Sequence, residues 1–345
     1  MAEISQDRTT QENISRIKEV AWGLVSTAAV MTAVRLRIAE TLDSAPRSRE
    51  EIAREVNADP MAVGQLMDAL VARDVFTLDS DGRYRNNELS LLLREDDPHS
   101  VSYLVQWIAD PTFWKLWPHL IDAVRDGKPT SRDVLGKDFF QYVHTETPES
   151  VPIFNRAMTQ ASRHTSDKVA EALPIPETGT VADVGGGQGF LLRTILDQNP
   201  STQGILLELE GVAAQALPEL RPGGRLADRA TVVPGDCRAE IPVQADLYVF
   251  KNILDWDDDT TVETLLNATE VAKPGAKIAI VETVTDRTPE PRVTSSLDLL
   301  LLLNVGGRKH SSDEVANLFE RSGIEFTAVH PTETFLTVVE GRVPA

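Results

Sequence analysis

The chain has 345 residues, with 34 Lys and Arg against 53 Asp and Glu and a formal net charge of −19. That excess of acid argues against nucleic acid and anionic membrane surfaces as partners, because both attract basic patches. The single cysteine, Cys237, excludes an intrachain disulfide and suits a reducing cytoplasm.

Residues 1–11 are polar and carry no signal-peptide core. Residues 14–42 place Val20, Leu24, Ala28, Met31 and Val34 at helical spacing. A second helix is predicted over 48–56, then a turn at Asn57-Ala58-Asp59-Pro60 and a third helix over 61–73. Short β runs at 75–78 and 83–84 flank Ser80-Asp81-Gly82, a hairpin turn. Helix, helix and β-wing make a winged-helix pattern, which invites a DNA-binding reading. The helix over 61–73 offers only Arg73 as a base, beside Asp68, so the basic footprint of a DNA reader is missing.

Residues 101–124 are rich in aromatics (Tyr103, Trp107, Phe113, Trp114, Trp117), and 139–166 add Phe139, Phe140, Tyr142, Phe154 and Met158. Most read as helix core, and some as the lining of an apolar acceptor pocket. Residues 174–179 form a Pro/Gly-containing link. Beyond it β-like and helix-like segments alternate, the mark of an α/β fold with a parallel sheet. The strands are predicted at 180–184, 204–209, 230–233, 247–251 and 277–282, and the helices at 190–198, 261–271 and 312–322. Two last runs, 326–329 and 334–339, turn around Pro331 as a closing antiparallel hairpin. Three segments follow: 12–100 winged-helix-like, 101–172 helical, and 173–345 α/β. No apolar stretch approaches the roughly 20 residues that span a bilayer, and the longest, residues 299–303, is five leucines.

The most informative stretch is Val-Ala-Asp-Val-Gly-Gly-Gly-Gln-Gly-Phe at 181–190, a strand running into a glycine turn and a helix. Gly185, Gly186, Gly187 and Gly189 let backbone approach a ligand closely. Glu208 ends the next apolar run, where a carboxylate accepts both hydroxyls of a ribose. The spacing G-G-G-x-G departs from the pyrophosphate-cradling G-x-G-x-x-G. A phosphate-free nucleoside fits better, and S-adenosylmethionine (SAM) is the obvious one. The run Asp257-Asp258-Asp259 reads as a helix N-terminus, not a metal site.

With these features together, the chain resembles the plant-type (class I) SAM-dependent small-molecule O-methyltransferases, including bacterial natural-product tailoring enzymes. The resemblance spans residues 14–339. It also rests on Gly235-Asp236, Lys251 with Asp255-Trp256, Pro274-Gly275, residues 298–303, Gly306-Gly307-Arg308, and Phe154-Asn155 with Met158. It implies a Rossmann-like methyltransferase sheet, mostly parallel with a C-terminal antiparallel hairpin, behind an N-terminal winged-helix domain that forms a homodimer. SAM would lie against Asp183, Gly185 and Gly187, with Glu208 on the ribose, Asp236 on the adenine amino group, Cys237 on the ring, and Lys251 near the methionine carboxylate. Trp256 would also border the cofactor. The acceptor, a small aromatic, would sit among Trp107, Phe154, Met158, His144 and Asn304.

The chain departs from this family at two linked places. The family's Lys-x-x-x-His-Asp-Trp becomes Lys251-Asn252-Ile253-Leu254-Asp255-Trp256, without the general-base histidine. The acid that braces that histidine in Gly-Gly-Arg/Lys-Glu-Arg is replaced by Lys309. Asp255, Glu282 and His164 remain as candidate catalytic groups. A phenol with pKa near ~10 is about 0.1% ionised at neutral pH, so losing a base hurts hydroxyl acceptors most. The expectation is methylation of an electron-rich ring carbon, as in an indole or phenol ring. O- or N-methylation using Asp255 or a pocket histidine stays open, as does a SAM-binding relative that hydroxylates, decarboxylates or cyclises. A winged-helix regulator and an NAD-dependent dehydrogenase are disfavoured by the acidic charge and the glycine spacing.

Overall fold

The computed structural model describes residues 9–344. Most of the polar N-terminal run searched for a signal core lies outside the described residues. The chain divides into two compact units, with the boundary in sequence between Phe113 and Trp114. The helical stretch expected over 101–172 is thus shared between them.

In the first unit, the long helical run is broken into Thr10–Ala21, Gly23–Arg35 and Ile38–Thr41. The last break falls at Arg37, whose backbone is left-handed at φ 55°. The winged-helix pattern is present. Helix Arg49–Glu55 opens on Ser48 and Glu51, which cap each other's backbone amides. Helix Pro60–Val71 starts under the Asp59 side chain with proline in its first turn. The wing is strand β1 (Thr77–Leu78) paired antiparallel with β2 (Tyr84–Arg85). Ile38, Ile52, Met67, Leu70 and Phe76 form the fully enclosed centre of this unit.

The second unit is built on a seven-stranded sheet. Its strands are β3 (Gly179–Val184), β4 (Thr202–Glu208), β5 (Ala230–Pro234), β6 (Leu247–Lys251), β7 (Lys277–Glu282), β8 (Glu325–Pro331) and β9 (Thr337–Arg342). Their spatial order is β5-β4-β3-β6-β7-β9-β8. The first five are mutually parallel, and β9 enters antiparallel beside β7 with β8 outside it. The hairpin expected from Pro331 is there, with the later strand on the inside. The central strands β6 and β7 are apolar on both faces, as a sheet covered on both sides requires.

The chain leaves β3 toward β4 on one side and later returns to β6 on the other. The carboxyl ends of β3 and β6 therefore border a topological switch point, where open α/β sheets bind ligands. Asp183, Glu208, Lys251 and Glu282 are the last or next-to-last residues of their strands, so one edge of the sheet gathers them. Among the described residues, no single helix is long and apolar enough to cross a membrane; only the bent pair Thr10–Ala21 and Gly23–Arg35 passes when counted together.

Candidate active site

The glycine turn carries the first half of the site. Gly187 adopts φ +61° and has open space where a side chain would project, so the loop presents bare backbone there. Its amide donates to Glu208 Oε2 at 2.9 Å, and Glu208 Oε1 accepts the Leu209 amide at 2.8 Å. Two backbone donors thus fix the carboxylate and leave further lone pairs for a ligand. Burial, opposed by these two amides, pushes its pKa above the ordinary glutamate value. The arrangement also separates the two nucleotide readings. The loop amide that a pyrophosphate would need is already taken by a carboxylate, while a ribose gains an anchored acceptor.

Asp183 lies beneath the turn: a Cβ at Gly186 would meet its Oδ2 at 2.3 Å. It is fully buried, and neither oxygen finds a hydrogen bond of good geometry. Burial raises its pKa to about 7, against the pull of Lys251 and the Leu192 amide. Lys251 donates to Ser162 Oγ at 3.2 Å, and burial lowers its pKa against the attraction of Asp183 and Glu282.

Beyond β5, Asp236 grips Arg238 through both oxygens, at 3.0 Å to Nε and 2.8 Å to Nη2. The Arg238 guanidinium lies over the Trp256 ring, 5.5 Å from its centre. Asn267 ties down this loop by donating to the Cys237 and Arg238 carbonyls at 3.0 Å. Cys237 packs against the core, and burial pushes its thiol up to about 12, so it acts as an apolar wall. Asp236, Cys237 and the stacked Arg238–Trp256 pair are thus gathered in one loop region.

The other half surrounds Lys309. Its ammonium donates to Asp255 Oδ1 and Glu282 Oε2, both at 2.7 Å. Burial alone would lower its pKa; the two carboxylates outweigh that and raise it, so Lys309 is a fixed cation without a lone pair to offer. Its backbone amide donates to Asp298 Oδ1 at 2.6 Å. Gly307 explains how the loop comes so near: a Cβ there would lie 1.8 Å from the Asp255 carbonyl oxygen. Charges therefore alternate from the glycine turn outward: Asp183, Lys251, Glu282, Lys309, Asp255. Side-chain exposure is 7% for Lys309, 10% for Glu282 and 30% for Asp255, so Asp255 is the accessible end.

Helix Ser150–Ala172 runs beside the glycine-turn half. Thr159 donates to Gln188 of the glycine turn at 3.4 Å and Ser162, one turn on, receives Lys251. Asn155 and Met158 precede them on the same helical face, i and i+3/i+4 apart. Phe154 is half-buried and its ring tilts against Phe140 at 5.6 Å. Asn304 is buried with Oδ1 unpartnered. His144 is exposed and bonds the Phe140 carbonyl at 2.7 Å. His164 lines a different, open cavity with Arg287 and Phe335, near the turn between β8 and β9. Trp107 belongs to the first unit, where it packs edge-on against Phe113 at 5.0 Å.

Sequence reasoning omitted Lys309, Arg238 and Ser162 from the candidate residues. Lys309 carried a signal, a base where the resemblance expects an acid. Arg238 followed directly on Asp236-Cys237. Ser162 was recoverable only from the helical period that links it to Asn155 and Thr159.

Comparison with known proteins agrees with this geometry. The O-methyltransferase domain model matches residues 117–325, and the O-methyltransferase dimerisation domain model matches residues 19–96. The mitomycin biosynthesis 6-O-methyltransferase of Streptomyces lavendulae is 35% identical over 91% of this chain and 89% of its own. The phenazine-1-carboxylate N-methyltransferase of Pseudomonas aeruginosa is 30% identical over 93% of this chain and 95% of its own. The structure of the mitomycin 7-O-methyltransferase MmcR superposes with a TM-score of 0.88 at 33% identity, covering 96% of this chain and 98% of that one. The S-adenosylhomocysteine-bound form of CalO1, a methyltransferase in calicheamicin biosynthesis, gives 0.85 at 28% identity, covering 98% and 100%. The mitomycin and phenazine relatives act, by name, on oxygen or nitrogen, and nothing in these comparisons supports the ring-carbon expectation. The chain belongs to the O-methyltransferase family and is a SAM-dependent methyltransferase.

Proposed function

We propose that the protein methylates a nitrogen or oxygen of a small aromatic natural-product precursor, and that Asp255 accepts the proton the acceptor loses. The observation that carries this reading is the accessible Asp255 carboxylate, held from behind by Lys309 at 2.7 Å. Glu208, the glycine turn, Asp236, Cys237 and Trp256 hold the cofactor, and Lys251 lies at its amino-acid end. SAM, when bound, supplies an electrophilic methyl group on a sulfonium. Asp255 Oδ1 is occupied by Lys309, so Oδ2 is the atom that accepts the N–H or O–H hydrogen. A neutral phenol or aniline becomes strongly acidic as its oxygen gains a third bond or its nitrogen a fourth, so a carboxylate suffices to take the proton at that stage. Orientation supplies much of the remaining rate.

The ring-carbon expectation rested on the missing general-base histidine, with Asp255 kept as an alternative base, and relatives named for oxygen or nitrogen methylation do not support it. His164 is set aside as the acceptor because it lines another cavity. The dimerisation-domain match supports a homodimer, with the exposed Ile17, Val20 and Trp22 of the N-terminal helices as the contact. A biosynthetic role fits the relatives, and the single cysteine suits a reducing cytoplasm.

The test is a set of simple acceptors (2-aminophenol, 8-hydroxyquinoline, 5-hydroxyindole) with methyl-labelled SAM and NMR of the product. Label on nitrogen or oxygen supports the reading. Label on ring carbon, or no labelled product from any of the three, contradicts it.

A further inference from the structure

We infer that Lys309 is a positioning residue for methyl transfer: it fixes the Asp255 carboxylate so that one oxygen faces the acceptor's N–H or O–H. This rests on the proposed role of Asp255 and deepens it.

Three observations carry the inference. The Lys309 ammonium bridges Asp255 Oδ1 and Glu282 Oε2 at equal distances of 2.7 Å, so each carboxylate fixes the bridge for the other. Its backbone is pinned independently through Asp298 and through the Gly307 contact with the Asp255 carbonyl. Lys309 is itself almost wholly enclosed, so it cannot meet a substrate and acts only through Asp255. Glu282 completes the arrangement at the end of β7, a rigid strand buried on both faces. A buried cation held this way keeps one orientation of Asp255, whereas a free aspartate samples several rotamers.

The arrangement also specifies the acceptor. Two carboxyl groups surround one ammonium, so the accessible end offers an acceptor of hydrogen bonds and an excess of acid. It favours a neutral or cationic donor, an arylamine or an un-ionised phenol, and disfavours an acceptor that arrives as a phenolate or carries a carboxylate beside the reacting atom.

A merely structural role is separable from a positioning role. Lys309→Met leaves Glu282 buried without its cation, which by itself destabilises. The double variant Glu282→Gln/Lys309→Met removes that buried charge and should recover thermal stability and S-adenosylhomocysteine affinity, read by calorimetry. We expect kcat to stay about 10²-fold down in the double variant, the scale of a misplaced catalytic group, with acceptor KM little changed. Native kcat in the double variant would overturn the inference, because Lys309 would then only neutralise Glu282. Loss of S-adenosylhomocysteine binding in the double variant would overturn it as well, by placing the trio in the cofactor site. An Asp255→Asn control distinguishes the levels. If that variant turns over normally, the proposed role of Asp255 fails; if it is slow while the double variant is normal, only the inference about Lys309 fails.

Discussion

Glu208 accepts the Gly187 amide at 2.9 Å, and this bond joins the two sequence features that identify the cofactor. The glycine turn follows β3 and the carboxylate ends β4, and parallel pairing of those strands brings them level. On the proposed reading, a nucleoside entering the turn would meet an acceptor already oriented by backbone, with little ordering left to be done on binding.

Replacing Glu208 with alanine removes the ribose acceptor and frees the Gly187 and Leu209 amides. Charged hydrogen bonds of this kind are worth about 1.5–3 kcal/mol, so cofactor affinity should fall roughly 10- to 100-fold by calorimetry. Because burial raises the Glu208 pKa, affinity in the native protein should also weaken on acidification, beginning above the ordinary glutamate range. Unchanged affinity in the variant would remove Glu208 from the site.

Gly307→Ala should damage turnover more than cofactor affinity. The added methyl would sit 1.8 Å from the Asp255 carbonyl oxygen, and backbone must shift to admit it. Strain of about 1–3 kcal/mol is expected in thermal unfolding, with kcat down about 10²-fold as Asp255 and Lys309 move apart. Retention of both native stability and native kcat would show that this contact is not needed.

Asp183 predicts an unusual pH dependence of stability. Its pKa rises from 3.8 unfolded to about 7 folded, so between those values the folded protein binds more protons than the unfolded chain. Its contribution is complete below pH ~4 and is lost as pH rises toward ~7, on the order of 4 kcal/mol when fully titrated. An Asp183→Asn variant lacks this slope, so the variant should gain stability relative to the native protein across that window. Parallel stability curves for the two proteins would contradict the buried-acid account.

The exposed apolar residues Ile17, Val20 and Trp22 are 70%, 67% and 61% accessible, far above what a surface helix needs. Changing Ile17 and Val20 to aspartate should convert a dimer to a monomer in light scattering without lowering monomer stability. A native protein that is already monomeric would refute the dimer.

Sequence pattern gave most of the sheet, because buried parallel strands such as β6 and β7 are short, continuous apolar runs with turn residues around them. The glycine turn and Glu208 stood out because bare backbone next to a strand-end carboxylate suits a ligand, and the fold sets the two side by side. The order of the last two strands was not legible, since a hairpin pattern fixes pairing between β8 and β9 and leaves open which one joins β7. The acceptor end was the hardest. Asp255 and Lys309 are 54 residues apart, and contacts that no sequence pattern shows bring them together, among them the Gly307 approach to the Asp255 carbonyl and the Arg308–Asp258 pair. Lys309 stood out in sequence as a base where the resemblance expects an acid; that it bonds Asp255 and Glu282 needed the fold.

The account turns on Asp255 as the proton acceptor, and single-turnover methyl transfer by Asp255→Asn tests it most directly. With cofactor and a proton-bearing acceptor both saturating, the rate should fall about 10²–10⁴-fold while S-adenosylhomocysteine affinity stays native. A rate equal to that of the native enzyme would contradict the account.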